Sequence, residues 1–124
     1  KIFDILDKFS CKKLLIPDGD IAGVISTAIK KNNIDMYIGT GGAPEGVLAA
    51  AALKCIDGQM QCRLLFNDDL QKERAKKMGI KNLNKKYNIN DLIKSNAIFV
   101  ASGVTDGNLL KGVKKIKNKF IIWT

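Results

Sequence analysis

Histidine is absent from this chain of 124 residues, which also contains only three cysteines and two prolines. Without histidine, neither Ser-His-Asp nor Cys-His catalysis can be built from this chain alone. The cysteines, Cys11, Cys55 and Cys62, lack Cys-x-x-Cys spacing, so no zinc site is expected. We interpret them as buried free thiols in a reducing compartment.

Long apolar runs are also missing. No stretch of 18 apolar residues occurs, so no membrane-spanning helix is expected. The first residues lack the pattern of a signal peptide, and we expect a cytoplasmic protein without membrane contact. The chain does not begin with Met, so we expect a fragment of a longer protein. Its 46% hydrophobic and 27% charged residues are typical of one globular domain.

Acidic residues are the scarcer charge, and the net charge is +9. Such a charge attracts nucleic acid, an anionic substrate or an acidic partner domain. The lysines, however, are scattered in pairs along the chain, which is typical of a solvated surface. No aromatic RNA-binding pattern and no zinc finger accompany them. Nucleic-acid binding is therefore the weakest of the functions considered, and we expect no nucleic-acid partner.

Apolar strand-like runs alternate with segments of helical spacing. This alternation predicts an α/β fold, a layered αβα domain with a mainly parallel sheet. Strands are expected at residues 14–16, 36–38, 61–66, 97–101 and 120–123. Helices are expected at residues 1–12, 21–31, 45–55, 69–78, 90–93 and 108–114.

A glycine-rich turn from Tyr37 to Gly46 joins a predicted strand to a predicted helix. Glycine lets a ligand approach the backbone closely, and Pro44 suits the first position of a helix. The helix N-terminus then offers unpaired N–H groups to an anion. Glu45 lies in that first turn, either as a partner of the helix dipole or as a metal ligand. A turn that serves packing alone remains an alternative.

The turn matches neither common phosphate-binding loop. A dinucleotide fingerprint counted from Gly39 requires glycine at the position of Pro44. A P-loop counted from Gly41 requires Lys and then Ser or Thr, where the chain has Val47 and Leu48.

Two acids flank a glycine in the segment Asp18-Gly19-Asp20, directly after a predicted strand. Carboxylates accept hydrogen bonds from sugar hydroxyls and bind Mg²⁺ or Mn²⁺. A helix cap is the structural alternative. A haloacid-dehalogenase-like phosphatase also has Asp-x-Asp here, but that pattern continues with Gly-Thr, whereas Ile21 and Ala22 follow in this chain.

Three loops are expected to meet. Residues 18–20, 39–45 and 103–107 each follow a predicted strand. Ligands of open parallel sheets lie beyond the carboxyl ends of the strands. If the strands are parallel, the three loops converge at one edge of the sheet, and the sequence predicts a binding site there.

Several motifs in order resemble those of the class II fructose-1,6-bisphosphatases, the GlpX-type sugar bisphosphatases. The resemblance covers residues 14 to 113 and is weaker at residues 68–86 and after 113. Its motifs are Pro17-Asp18-Gly19-Asp20-Ile21-Ala22, Gly41-Gly42-Ala43-Pro44-Glu45-Gly46-Val47, Ala52-Leu53-Lys54-Cys55, Gln61-Cys62-Arg63-Leu64-Leu65, Ala101-Ser102-Gly103-Val104-Thr105-Asp106-Gly107 and Leu109-Leu110-Lys111-Gly112-Val113.

The resemblance implies a hydrolase of gluconeogenesis that removes the 1-phosphate of fructose 1,6-bisphosphate with Mn²⁺ or Mg²⁺. It implies the sugar-phosphatase fold, with residues 1–124 as a single α/β domain, the C-terminal half of a two-domain enzyme. The N-terminal metal-binding domain would be absent from this chain, which is then inactive alone. The resemblance also implies a homo-oligomer.

The resemblance assigns roles to individual residues. Asp18, Gly19, Asp20 and Gly42 would contact the substrate, and Glu45 would be a metal ligand. No catalytic residue is assigned, and no role is carried onto Thr105 or Asp106, whose simplest interpretation is a loop and a helix cap.

A non-catalytic domain that binds a sugar phosphate or packs on a partner is the alternative function. The preferred sugar, fructose or sedoheptulose bisphosphate, is left open by the sequence.

Overall fold

The helices follow the predicted order along the chain, although their ends differ. The computed structural model describes residues 2–124. The helices there are α1 (Ile2–Lys8), α2 (Asp20–Ser26), a 3₁₀ turn (Lys30–Asn32), α3 (Ala43–Cys55), α4 (Asp69–Lys77) and α5 (Ile89–Leu92). The strands are β1 (Gln61–Cys62), β2 (Tyr87–Asn88), β3 (Lys114–Ile116) and β4 (Lys119–Ile121). The chain therefore combines helices and strands, as predicted.

Helix α3 carries most of the core and packs against α2 and α5. Its small alanine side chains let the neighbouring helix backbones come close, as the sequence predicts. The predicted burial of residues 47–53 holds only for the later part, because Val47 and Leu48 are 43% and 50% exposed. The side chains that are at most 5% exposed are Ile25, Ala49, Ala50, Ala52 and Leu53.

The helix that follows the acidic loop ends earlier than predicted. Helix α2 ends at Ser26 instead of near residue 31. The Ser26 hydroxyl donates to the Ala22 carbonyl at 2.8 Å, and the Thr27 hydroxyl donates to the Val24 carbonyl at 2.8 Å. Such side-chain bonds compete with the backbone ladder, which favours an early end.

Helix α3 ends at Cys55, as predicted. The predicted left-handed cap at Gly58 is wrong, because another residue takes that conformation. Asp57 takes the left-handed conformation, with φ 54°. The Gly58 N–H donates to the Leu53 carbonyl at 2.8 Å. Glycine is required at 58 for space, since a Cβ there would lie 2.5 Å from Leu53 Cδ2.

Helix α1 is shorter than the predicted helix over residues 1–12, and residue 1 lies outside the described residues. It ends at Lys8, and Ser10 adopts φ 52° directly after it. None of its side chains is buried. Helix α4, in contrast, begins at the predicted residue and ends at Lys77, one residue before the predicted end: the Asp68 carboxylate accepts from the Gln71 N–H at 2.7 Å, and Gly79 has φ 92°.

The sheets differ most from the prediction. Both sheets of the described chain are two-stranded and antiparallel, with β1 paired to β2 and β3 paired to β4. Within residues 2–124, the predicted strands at 14–16, 36–38 and 97–101 have no strand pairing. A strand forms only beside a hydrogen-bonded neighbour, and here the apolar segments lie open: Leu14, Ile98 and Val100 are 72%, 91% and 76% exposed. The mainly parallel sheet thus stays a prediction.

The predicted helix over residues 108–114 is absent from the described structure, and its last residue begins β3. The chain instead folds back tightly: the Gly103 N–H donates to the Trp123 carbonyl at 2.9 Å, and the Val113 N–H donates to the Val104 carbonyl at 3.2 Å. A Cβ at Gly103 would overlap the Lys111 carbonyl. These long-range backbone bonds replace the local bonds of a helix.

The cysteines are free, as predicted, but the interpretation of buried thiols is wrong: Cys11 and Cys55 are exposed and Cys62 is half-buried. No helix within residues 2–124 has both the length and the apolar composition that crossing a membrane requires.

Candidate functional site

The acidic loop is shaped by one glycine. Gly19 has φ 90° and ψ 41°, a left-handed conformation that glycine adopts without penalty. It precedes α2, whose first residue is Asp20, and no side chain caps this helix. The Asp18 carboxylate instead accepts from the neighbouring Gly19 N–H at 2.7 Å. The helix-cap alternative for the two acids is therefore wrong.

Asp20 is held by a residue to which the sequence analysis gave no role. The Tyr37 hydroxyl donates to Asp20 Oδ1 at 2.7 Å. Burial, the hydrogen bond to Asp20 and the charges of Asp20 and Glu45 raise the pKa of Tyr37 to about 12. Tyr37 therefore keeps its proton near neutral pH and remains a donor. Only its place just before the glycine loop could have indicated this role in the sequence.

The glycine loop leads into α3 with Gly42 as the helix cap, in extended conformation. The helix begins at Ala43, so Pro44 takes the second helical position and not the predicted first. Proline has no N–H to donate, and none is needed at this position, because the N–H groups of the first helical turn have no intrahelical acceptor. The Glu45 carboxylate accepts from the Gly42 N–H at 2.8 Å. Glu45 thus closes the loop onto the start of its own helix, half of the reciprocal capping pattern.

The acidic loop and the glycine loop meet over Gly41. A Cβ at Gly41 would lie 2.6 Å from Asp20 Oδ2 and 3.1 Å from Glu45 Oε2. Two carboxylate oxygens therefore face the same point of the backbone, and glycine leaves the space that they occupy. Two like charges this close favour a cation or hydrogen-bond donors between them.

An open cavity of about 470 Å³ lies beside these carboxylates. Its polar wall is formed by the acidic loop and Glu45. Its apolar wall is formed by Leu48 of α3 and by residues on both sides of the third glycine loop. The lining residues are Asp18, Gly19, Asp20, Ile21, Ala22, Glu45, Leu48, Phe99, Val100, Ala101 and Leu109. The first two loops meet, as predicted, although not at the edge of a parallel sheet within residues 2–124. For the third, only its flanks line the cavity.

The third loop has an internal structural role instead. The Asp106 carboxylate accepts from the Gly112 N–H at 2.9 Å. A Cβ at Gly112 would lie 2.7 Å from the Asp106 nitrogen and from the Thr105 carbonyl carbon. Asp106 and the two close backbones thus fix the shape of the loop, as the loop interpretation of Thr105 and Asp106 predicts. The helix-cap interpretation is wrong, because no helix begins there within residues 2–124.

The oxygen donors near the cavity are too few for a complete metal site. Mg²⁺ requires near-octahedral oxygen coordination and is usually bound by carboxylates together with water and phosphate. Across residues 2–124, no three or more Cys, Asp or Glu side chains form a group that could hold a metal ion. Asp20 and Glu45 face Gly41, and Asp18 lines the same cavity without completing such a group. The residues present therefore do not fit a metal ion on their own.

A comparison with known protein families gives a match that covers the whole described chain. Residues 2–124 match the family model described as bacterial fructose-1,6-bisphosphatase, glpX-encoded. This chain belongs to that family. The match confirms the resemblance that the sequence motifs indicated, and it extends over the segment after residue 113, where the motifs were weaker.

Curated relatives agree with the family match. The chain is 35% identical to fructose-1,6-bisphosphatase class 2 of Haemophilus influenzae, over 91% of this chain and 38% of the relative. It is equally similar, with the same shares, to fructose-1,6-bisphosphatase 1 class 2 of Escherichia coli strain K12. It is 38% identical to a Synechocystis protein named D-fructose 1,6-bisphosphatase class 2/sedoheptulose 1,7-bisphosphatase, over 81% of this chain and 33% of the relative.

The chain thus spans little more than a third of the length of these relatives. Their names describe the activity of much longer proteins.

Proposed function

We propose that the full-length protein removes the 1-phosphate of fructose 1,6-bisphosphate, giving fructose 6-phosphate and phosphate, a reaction of gluconeogenesis. The family match supports the reaction class. The observation that carries the role of this chain is the meeting of Asp20 and Glu45 over Gly41, at the edge of an open cavity. This chain would supply one side of the active site.

Asp18, Gly19, Asp20 and Gly42 would bind the sugar. The carboxylates of the two acids lie at the cavity, where they can accept hydrogen bonds from sugar hydroxyls. A site built on hydrogen bonds rejects analogues that lack the matching hydroxyl, because its polar groups then stay unpaired. These residues therefore favour a polyhydroxylated substrate over an apolar phosphate ester.

Glu45 would be one ligand of Mn²⁺ or Mg²⁺. A bound divalent ion neutralises phosphate charge and activates water in this reaction class. Because the donors within residues 2–124 are too few, the other ligands would come from the rest of the enzyme. Glu45 now accepts from the Gly42 N–H, so turning its carboxylate towards an ion would free that N–H for the substrate.

The remaining architecture is proposed from the family resemblance. Residues 1–124 would form a single C-terminal domain that pairs with an N-terminal metal-binding domain in a cytoplasmic homo-oligomer. The open apolar segments at residues 14–16, 36–38 and 97–101 would pair there as strands of a mainly parallel sheet. Their exposure, such as 91% at Ile98, supports a neighbour that covers them in the longer enzyme.

Replacing Glu45 with Gln in the full-length enzyme tests the metal role. Gln keeps the shape of the side chain but removes its charge, so we expect bisphosphatase activity to fall by at least about 100-fold. Calorimetric titration with Mn²⁺ should show weaker binding. The control is Glu73→Gln, since Glu73 is the only other glutamate and lies exposed on α4. Activity and Mn²⁺ affinity like those of the wild type in Glu45→Gln would reject the role.

The shortage of metal donors favours one alternative, a domain that binds a sugar phosphate without catalysis. Such a protein would bind fructose 6-phosphate in the presence of a chelator. It would also leave fructose 1,6-bisphosphate intact when Mn²⁺ is supplied. Turnover of the bisphosphate by the full-length protein, lost on chelation and restored by Mn²⁺, would exclude this alternative.

A further inference from the structure

One polar contact joins the acidic loop to the start of the glycine-rich turn, and its donor, Tyr37, has neither a substrate role nor a metal role so far. The Tyr37 hydroxyl donates to Asp20 Oδ1 at 2.7 Å, across 17 positions of sequence. It links the segment before the glycine loop to the first residue of α2. A hydrogen bond to a charged group is among the stronger polar contacts in proteins.

The ring of Tyr37 lies against two glycines. At Gly23, on α2, a Cβ would lie 2.8 Å from Tyr37 Cε2. At Gly39 a Cβ would overlap the Tyr37 hydroxyl and lie 2.8 Å from Cε1. Any larger side chain at either position would therefore push the ring away. Because the two glycines have no side chains, the ring fits beside them in the orientation that brings its hydroxyl to Asp20.

The second oxygen of Asp20 faces the glycine loop at Gly41. Asp20 Oδ2 lies 2.6 Å from the position that a Cβ of Gly41 would take, and Glu45 Oε2 lies 3.1 Å from that position. While Tyr37 holds Oδ1, the carboxylate cannot rotate freely, and Oδ2 stays at the glycine loop. A ligand that donates to Oδ2 then meets an acceptor already in place, which lowers the entropic cost of binding.

We propose that Tyr37 is a positioning residue. Its ring fits beside Gly23 and Gly39, and its hydroxyl fixes the carboxylate of Asp20 so that Oδ2 stays at the glycine loop, ready to accept from the sugar. This inference rests on the proposed function, because it takes the sugar as the ligand of Asp20. Tyr37 would act through Asp20 and would touch no reacting atom.

Steady-state kinetics of the full-length enzyme with Tyr37→Phe tests the inference. Phe keeps the ring and removes only the hydroxyl. We expect KM for fructose 1,6-bisphosphate to rise about ten-fold, the size of one lost charged hydrogen bond, with a smaller change in kcat. The matched control is Tyr87→Phe, since Tyr87 is the only other tyrosine and lies in β2, away from the cavity.

A double-mutant cycle separates positioning from a general loss of structure. In an Asp20→Ala background, which removes the acceptor altogether, Tyr37→Phe should change KM less than two-fold, since its effect passes through the Asp20 carboxylate. In parallel, NMR of enzyme labelled with ¹³C at the Asp carboxyl carbons should show a shifted Asp20 signal in Tyr37→Phe. An equal effect of Tyr37→Phe in both backgrounds, an unchanged KM or an unchanged Asp20 signal would each overturn the inference.

The same assays distinguish this inference from the proposed function. A wild-type enzyme that does not hydrolyse fructose 1,6-bisphosphate would reject both the function and the sugar-directed role of Tyr37, whatever the carboxyl signal shows. An active wild type that is impaired by Asp20→Ala but not by Tyr37→Phe would reject the inference alone.

Discussion

At the scale of single residues, the site depends on how two carboxylates are held. Asp20 is fixed from one side by Tyr37, and Glu45 is fixed by the Gly42 N–H. The acids could be predicted from the sequence because each lies beside glycine after an apolar segment. Tyr37 could not, because a tyrosine after apolar residues is typical of a core position and its partner lies 17 positions earlier.

The proton of Tyr37 gives this contact a pH dependence. Its pKa is raised to about 12 in the folded chain, above an ordinary value of about 10. The contribution of the hydroxyl to stability is then complete below pH about 10 and is lost as the pH rises towards 12.

We therefore expect wild type to lose its stability advantage over Tyr37→Phe in that alkaline window. Urea unfolding of both full-length proteins at several pH values measures this difference, and the lysines titrate equally in both. A difference between the two proteins that stays constant from neutral pH to pH 12 would show that Tyr37 has no raised pKa.

At the scale of elements, the loop leading into α3 is the feature that the sequence predicts best. Its glycines, Pro44 and Glu45 lie within one short window, as do Asp68 and Gln71 at the start of α4. Local bonds of this kind can be predicted from spacing. The strands could not, because β1 pairs with β2 about 25 residues later, and the choice between partners depends on packing.

Two glycines of this loop-helix element give a matched pair of variants. A Cβ at Gly41 would meet the carboxylates of Asp20 and Glu45, whereas a Cβ at Gly46 has no atom within 4 Å. Gly41→Ala must displace a side chain that Tyr37 holds. We expect it to weaken fructose 6-phosphate binding by the full-length enzyme roughly ten-fold while the fold survives.

Gly46→Ala should leave that affinity unchanged and raise the free energy of unfolding by about 0.5–1 kcal/mol, because Ala favours a helix interior. Calorimetric titration and thermal unfolding of both variants measure the two effects. Equal affinity in Gly41→Ala and Gly46→Ala would contradict the crowded geometry at Gly41.

At the scale of the whole molecule, the chain has the composition of a globular domain but leaves much apolar surface open. Leu14, Leu15, Ile98 and Val100 are each at least 72% exposed, in segments whose sequence predicts buried strands. The relatives that this chain matches are more than twice its length. The pairing of these segments depends on contacts that a single sequence window does not contain. The predicted parallel sheet is therefore not formed within residues 2–124 and stays a prediction for the longer protein.

Titration of the full-length enzyme with fructose 6-phosphate, with and without Mn²⁺, followed by backbone amide NMR, tests whether the acidic loop and the glycine loop bind the sugar. We expect saturable shifts at Gly19, Asp20 and Gly41 to Glu45, with the Gly42 amide changing most when Mn²⁺ is present, since the Glu45 carboxylate would then turn from that amide towards the ion. Saturable binding that leaves these amides unchanged would contradict the account and place the sugar elsewhere in the enzyme.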